Sequence, residues 1–308
     1  MTVTDAIFHG LFVAMHHATT SLICFTVTVF VRFIVPLIAP NATVYWLLLG
    51  VTCAIVYSVL FNYAFCVWTD PGKIKVRPRE DEYEFNNDSD EEADFMAPMA
   101  LETLPPTHAK EKTTYCRRCQ LQRPRRAHHC SICQVCVDHM DHHCPWINNC
   151  VGLHNHRYFC SFLFWLALGC WYCAVLSFWP AVGNVSREEL AKFANVFSSE
   201  MLALGPKAMM YCVFLIATSS GILVSCLGSW HFYLVLTAQT SIEYQINRSK
   251  RTLRTTGGKI LSPYCCGSSH KNWEAVFGPC RWKIVSLLPS RRPIPLYALA
   301  EGSEKDVV

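Results

Sequence analysis

The sequence has 308 residues, 52% of them hydrophobic and only 16% charged, with a formal net charge of +4. A charged fraction this far below the roughly 25% of an ordinary soluble domain argues against a soluble globular protein. The small net charge excludes little, but its distribution is informative: charges are nearly absent from four long stretches and crowded between them.

No cleavable signal peptide is expected, because Met1 to His17 lacks a basic start and the following apolar run is too long for a signal core. A membrane-spanning helix needs about 20 mainly apolar residues. Ala18 to Ile38, Val44 to Trp68, Phe159 to Val182 and Met209 to Leu236 meet that length. The fold class expected is therefore a mainly α membrane protein with four transmembrane helices. Arg32 lies near one end of the first span, where its stem can carry the charge to the interface. Asp70-Pro71-Gly72 follows the second span as a turn signal. The acidic stretch from Glu80 to Pro106, ending in Pro105-Pro106, reads as a flexible linker. Sequons at Asn41, Asn87, Asn184 and Asn247 fall in cytosolic or membrane-abutting positions, so no glycan is expected, and no internal repeat is read. The chain divides into 1–68 (first two spans), 69–114 (turn and linker), 115–158 (cysteine-rich zinc domain), 159–238 (last two spans with a luminal loop) and 239–308 (tail).

Basic residues set the orientation. Ala39 to Thr43 carries no Lys or Arg and Gly183 to Lys207 carries three, whereas Thr69 to Tyr158 carries twelve and the chain after Ala238 eleven. The positive-inside rule then places both termini and the central segment in the cytosol.

Seven of the 18 cysteines lie between Cys116 and Cys150, among several histidines. Such C-x-x-C spacing with nearby histidines points to zinc rather than disulfides. Two histidines added to the seven cysteines give nine potential ligands, one more than two tetrahedral ions require. The cysteine best suited to stay free is Cys144, after Asp141-His142-His143 and before Pro145-Trp146. An ordinary thiol with pKa about 8.5 is only slightly ionised at neutral pH. A neighbouring imidazole that takes the proton, held by a carboxylate, makes it a nucleophile. On spacing alone either His142 or His143 can be that base.

The segment from Tyr115 to Phe159 resembles the DHHC cysteine-rich domain of protein S-acyltransferases (palmitoyltransferases). The likeness runs through Cys116, Cys119, Arg123-Pro124, Arg126, His128-His129-Cys130, Cys133, Cys136, Asp141-His142-His143-Cys144, Trp146, Asn149-Cys150, Gly152, Asn155 and Phe159. The resemblance implies two structural zinc sites, one of Cys116, Cys119, His129 and Cys136, the other of Cys130, Cys133, His143 and Cys150. It makes Cys144 the nucleophile, His142 the base and Asp141 the group that orients it. Asp70-Pro71-Gly72 is similar to the family's DPG motif. Thr240-Ser241-Ile242-Glu243 is similar to its TTxE motif, with a serine whose hydroxyl is expected to keep its hydrogen bond toward the site. Asn272 to Gly278 (NWEAVFG) resembles a C-terminal element that packs the tail on the membrane domain.

The activity implied is transfer of a long fatty acyl group, typically palmitoyl, from acyl-CoA through Cys144 to cysteines of other proteins near the cytosolic membrane face. The partners implied are those proteins, acyl-CoA and the bilayer, with no nucleic acid, and the membrane is that of the Golgi or endoplasmic reticulum. Arg123, Arg125 and Arg126 face either CoA phosphates or anionic lipid, the resemblance favouring Arg123 and Arg126 for CoA. Trp146 is implied near the first carbons of the chain, or else anchors the interface. Cys265-Cys266 are either acylated themselves or ordinary buried cysteines. A membrane-tethered zinc module that only binds partners is the main rival; a transporter is disfavoured by spans with no paired charges.

Overall fold

The computed structural model describes residues 3–74, 114–183, 185, 205–250, 254–256 and 259–291. The linker from Glu80 to Pro106 and the sequons at Asn87 and Asn184 lie outside the described residues.

Among the described residues, four helical passages are long and apolar enough to cross a membrane. The first is α1 (Val3–Val29), continued by a π-helical turn (Phe30–Ile34) into α2 (Val35–Ile38). Pro36 explains the wide turn: it has no N–H for the Arg32 carbonyl, and its ring would crowd that carbonyl in a regular helix. The others are α3 (Ala42–Trp68), α4 (His156–Val182) and α5 (Pro206–Leu236). Asn41 caps α3, its Oδ1 accepting from Val44 N at 2.9 Å. Each helix starts earlier than its apolar run, most of all the first, which begins at Val3 rather than Ala18. Apolar counting reads only the part that meets hydrocarbon, whereas the backbone ladder continues through polar residues beyond it. Trp46, Leu47, Tyr57, Val175 and Trp179 stay exposed on the outer faces, as lipid contact requires.

Between α3 and α4 the chain forms three antiparallel hairpins: β1 (Thr114–Cys116) with β2 (Leu121–Arg123), β3 (His128–Cys130) with β4 (Val135–Val137), and β5 (His142–Cys144) with β6 (Asn149–Val151). Their registers begin at Thr114↔Arg123, His128↔Val137 and His142↔Val151, each 14 residues after the last. Each turn places one residue at positive φ in the same position, Gln120 (52°), Gln134 (54°) and Asn148 (47°). The three are copies of one unit, which corrects the expectation of no internal repeat. Of the ten paired and turn positions only the first turn cysteine, Cys116, Cys130 or Cys144, persists in all three, too little identity for the period to be read.

This domain is joined tightly to the helices. Asn149 donates to the carbonyls of Cys66, Val67 and Thr69 at 3.1, 3.2 and 3.1 Å, satisfying the open C-terminal end of α3. Asn155 donates to Cys66 O and Cys150 O while accepting from Gly152 N. Asp70 closes the Pro71-Gly72 turn by accepting from Gly72 N and Lys73 N, both at 2.8 Å. Gly72 O then accepts from Asp138 N at 2.8 Å. A Cβ on Gly152 would lie 2.5 Å from Pro71 O and 2.7 Å from Val137 Cγ1, so only glycine lets the turn and the hairpins meet.

After α5 come α6 (Ser241–Lys250), a hairpin of β7 (Arg254–Thr256) and β8 (Lys259–Leu261), α7 (Ser269–Phe277) and α8 (Lys283–Ser286). Asn272 donates to Leu236 O at 2.8 Å and so caps α5. Trp273 stacks on Phe232 and Phe277 with centroids 5.5 and 4.3 Å apart, and its Nε1 donates to Ser286 Oγ at 2.9 Å. The tail is packed on the membrane helices as the NWEAVFG segment led one to expect.

Candidate active site and metal centres

The hairpins are linked in series. The two turn cysteines of the first, Cys116 and Cys119, meet His129 and Cys136, a cross-strand pair of the second. The turn cysteines of the second, Cys130 and Cys133, meet His143 and Cys150, the equivalent pair of the third. Within each group the donor atoms all lie within 4.8 Å of one another. Cys119 Sγ lies 3.1 Å from His129 Nδ1 and 3.7 Å from Cys136 Sγ. In the second group His143 Nδ1 lies 3.7, 3.4 and 3.5 Å from the sulfurs of Cys130, Cys133 and Cys150. A zinc ion with bonds of ~2.3 Å to sulfur and ~2.0 Å to nitrogen spaces tetrahedral ligands about 3.3–3.8 Å apart. Both groups fit such an ion, and the eight residues are those the family resemblance implied.

Cys144 stands where Cys116 and Cys130 stand in the other copies, but Ile147 replaces its partner cysteine and α4 follows in place of a fourth copy. It joins neither metal group. Instead it lines a cavity of about 640 Å³ between α1, α3, α4 and α5. His142, Cys144 and Trp146 sit at one end; Phe30, Thr52 and Tyr172 lie at the other. Phe159 and Tyr172, thirteen residues apart on α4, both line it, so it runs for ~20 Å along that helix. Tyr172 Oη donates to Leu48 O at 3.1 Å and lies 3.3 Å from Thr52 Oγ1, which closes the far end with a polar link. Trp146 is 51% exposed at the mouth, and its carbonyl accepts from Tyr63 Oη at 3.0 Å.

Behind Cys144, the Asp141 carboxylate is buried and accepts from Ser241 N (to Oδ1) and Ser241 Oγ (to Oδ2), both at 2.9 Å. The hydroxyl expected of the TTxE-like segment thus points into the site. His142 Nδ1 lies 3.5 Å from Asp141 Oδ2. Burial works against a charged Asp141, but the His142 hydrogen bond and the nearby imidazoles outweigh it and hold the carboxyl well below the usual range. Burial also opposes a charged His142, yet its hydrogen bonds to Asp141 and Cys144 raise the ring to about 9.

Arg126 is turned inward: Nε and Nη2 donate to Glu243 at 2.7 and 2.9 Å, and its guanidinium lies 4.4 Å from the centre of the Tyr264 ring. Burial would raise the Glu243 carboxyl, but Arg126 and the Thr240 N–H hold it down. This pair locks α6 to the hairpins and gives Arg126 a structural duty the sequence did not suggest. Arg123 Nε donates to Thr114 Oγ1 at 3.3 Å, and its Nη1 reaches the sulfur of Cys136 at 4.0 Å. Cys265 Sγ accepts from Asn272 and Cys266 Sγ donates to Tyr264 O, both cysteines half-buried.

One neighbour went unread. His231, on the fourth span, brings Nδ1 to 3.7 Å from Asp141 Oδ2. An ionisable residue inside an apolar span is itself a signal of function.

The family model described as DHHC palmitoyltransferase matches residues 109–248, which hold both metal groups, Asp141, His142, Cys144, His231 and Ser241. Palmitoyltransferase ZDHHC16A of Danio rerio is 31% identical over 239 residues, covering 62% of this chain and 60% of the relative. Palmitoyltransferase ZDHHC20 of Bos taurus is 36% identical over 240 residues, covering 73% and 61%. The probable protein S-acyltransferase 16 of Arabidopsis thaliana is 31% identical over 246 residues, covering 78% and 75%. The chain spans about three-fifths of the length of the first two relatives.

Proposed function

This chain belongs to the DHHC palmitoyltransferase family, and we propose that it is a protein S-acyltransferase that carries a long fatty acyl group on Cys144. One observation supports this above all: the single sulfur of the hairpin series outside both metal groups opens onto an apolar cavity between membrane helices, beside an acid–imidazole pair.

The donor is a long-chain acyl-CoA. Its chain gains about 0.8 kcal/mol for each buried CH2 in the cavity, while its nucleotide stays in water at the basic face, with Arg123 the better placed of the two arginines. The Cys144 sulfur attacks the thioester carbonyl as a thiolate, its proton already held on the His142 ring. The new S–C bond forms, the bond to the CoA sulfur breaks, and CoA leaves as its thiol with the proton from His142. In the second step a substrate cysteine attacks the acyl-Cys144 carbonyl, His142 accepts its proton, and Cys144 is released with a proton returned from His142. Asp141, fixed by Ser241, orients the imidazole throughout. Each step exchanges one thioester for another, so no further energy source is needed. Two zinc ions would be held by Cys116, Cys119, His129 and Cys136 and by Cys130, Cys133, His143 and Cys150. With four protein ligands each they supply cross-links between hairpins, not an open coordination position.

The excess of basic residues in 69–158 and after 238 supports a cytosolic central segment and cytosolic termini. The acceptors are then membrane-proximal cysteines of other proteins at the cytosolic face of a Golgi or endoplasmic reticulum membrane. Purified protein incubated with palmitoyl-CoA should gain one hydroxylamine-labile acyl group on Cys144, located by mass spectrometry. A thioester elsewhere, or none, would replace this reading with that of a zinc-bearing binding module.

A further inference from the structure

We propose that His231, on the fourth membrane helix, is a positioning residue for acyl transfer, holding the Asp141 carboxylate through its Nδ1 nitrogen. The inference rests on the acyltransfer reading above and adds to it a residue that composition and spacing did not suggest.

Asp141 is 1% exposed and His231 3% exposed. Ser241 fills one bonding direction on each carboxylate oxygen. Two imidazoles then approach Oδ2, His142 Nδ1 at 3.5 Å and His231 Nδ1 at 3.7 Å. The His231 Nδ1 nitrogen is buried and has no hydrogen-bond partner as it stands. A buried imidazole nitrogen without a partner is costly, and the Asp141 carboxylate lies 3.7 Å away. Catalytic hydrogen bonds are often long before substrate binds and tighten afterwards. The ring has little freedom to turn elsewhere. It meets Phe159 edge-on at 4.9 Å and lies 5.6 Å from the His142 ring and 6.4 Å from that of His156.

Phe159 on α4 lines the acyl cavity and meets the His231 ring on α5, so the cavity wall and the pocket around Asp141 share a contact. A donor from α5 on Asp141 Oδ2, the oxygen that His142 also approaches, holds the carboxylate plane on the side of the His142 ring. The fourth span thereby helps set the imidazole that serves Cys144, although it touches neither the thiol nor the acyl-CoA thioester.

The test uses the full-length protein in detergent, with palmitoyl-CoA as donor and Cys144 acylation as readout. His231→Phe and His231→Gln should each slow acylation at saturating donor by about tenfold to a hundredfold, the effect of losing a hydrogen bond to a buried charge. The KM for palmitoyl-CoA should be unchanged and two zinc ions per chain retained. His231→Asn places an amide N–H where Nδ1 stood and should recover most of the rate. Acylation of His231→Phe at the wild-type rate would overturn the proposal. Equal slowing of all three variants, or a change confined to KM, would reduce His231 to a packing residue and overturn it as well. Should His231→Phe lose zinc, the contrast between Asn and Gln decides. No thioester on Cys144 in the wild type would defeat the acyltransfer reading itself, and this inference with it.

Discussion

Ser241 donates twice to Asp141, through its backbone N–H and its hydroxyl, across a sequence separation of 100 residues. Ser241→Ala removes the hydroxyl and keeps the N–H. Its expected effect is a fall of about tenfold in the Cys144 acylation rate, the scale of one hydrogen bond to a charged group. Ser241→Thr restores the hydroxyl and should restore the rate.

Cys133→Ser removes one ligand of the second metal group. Because ligation is also folding energy for such small hairpins, the variant should bind one zinc or none and melt at lower temperature. Cys144→Ser should keep both ions and the wild-type melting temperature while losing the acyl group. Elemental analysis and a thermal melt on the two variants separate structural sulfur from reactive sulfur.

Gly152→Ala pushes a methyl group against Pro71 O and Val137 Cγ1, at 2.5 and 2.7 Å. Relief requires backbone movement where the Pro71-Gly72 turn meets the hairpins, at a cost of about 1–3 kcal/mol. Denaturation of the variant should show that loss, and restored stability would require the turn itself to be changed.

Arg126 and Glu243 are mutually dependent. Arg126→Met leaves the buried Glu243 carboxylate without its partner and should destabilise by about 3–5 kcal/mol. Arg126→Met with Glu243→Gln should recover much of it, a coupling that a double-mutant cycle measures. The Glu243 carboxyl is depressed below its ordinary value of 4.5. Its stabilising contribution is therefore complete above that value and fades as pH falls through the lower, folded one. Stability of the wild type should decline over that acid range more steeply than that of the double variant.

Tyr172 and Thr52 close the far end of the cavity. Tyr172→Ala opens it, and competition between acyl-CoA donors should shift toward chains longer than palmitoyl.

The sequence disclosed this molecule unevenly. The four spans were legible because an apolar run of membrane length has few other uses; spacing alone showed a zinc-type cluster of cysteines and histidines, and its division into two interleaved groups came from the family resemblance. Cys144 could be singled out by counting ligands. The Arg126–Glu243 pair joins residues 117 apart, and no local pattern marks such a contact. His231 sat in plain view, but one imidazole in an apolar run says nothing of its partner until α5 is packed beside Asp141. The 14-residue period was hidden because the repeat is one of backbone shape, kept by a residue at positive φ in each turn, while the side chains diverged.

The serial clasping of the hairpins carries a consequence for how reactivity arose. Cys144 occupies the same hairpin position as Cys116 and Cys130, two sulfurs of the metal-binding groups, so its place at the end of the succession leaves it uncoordinated and open to the imidazole beside it. A row of identical fasteners always leaves its last hook empty, and here that hook faces the lipid chamber. The proposed nucleophile is thus the loose end of a structural device.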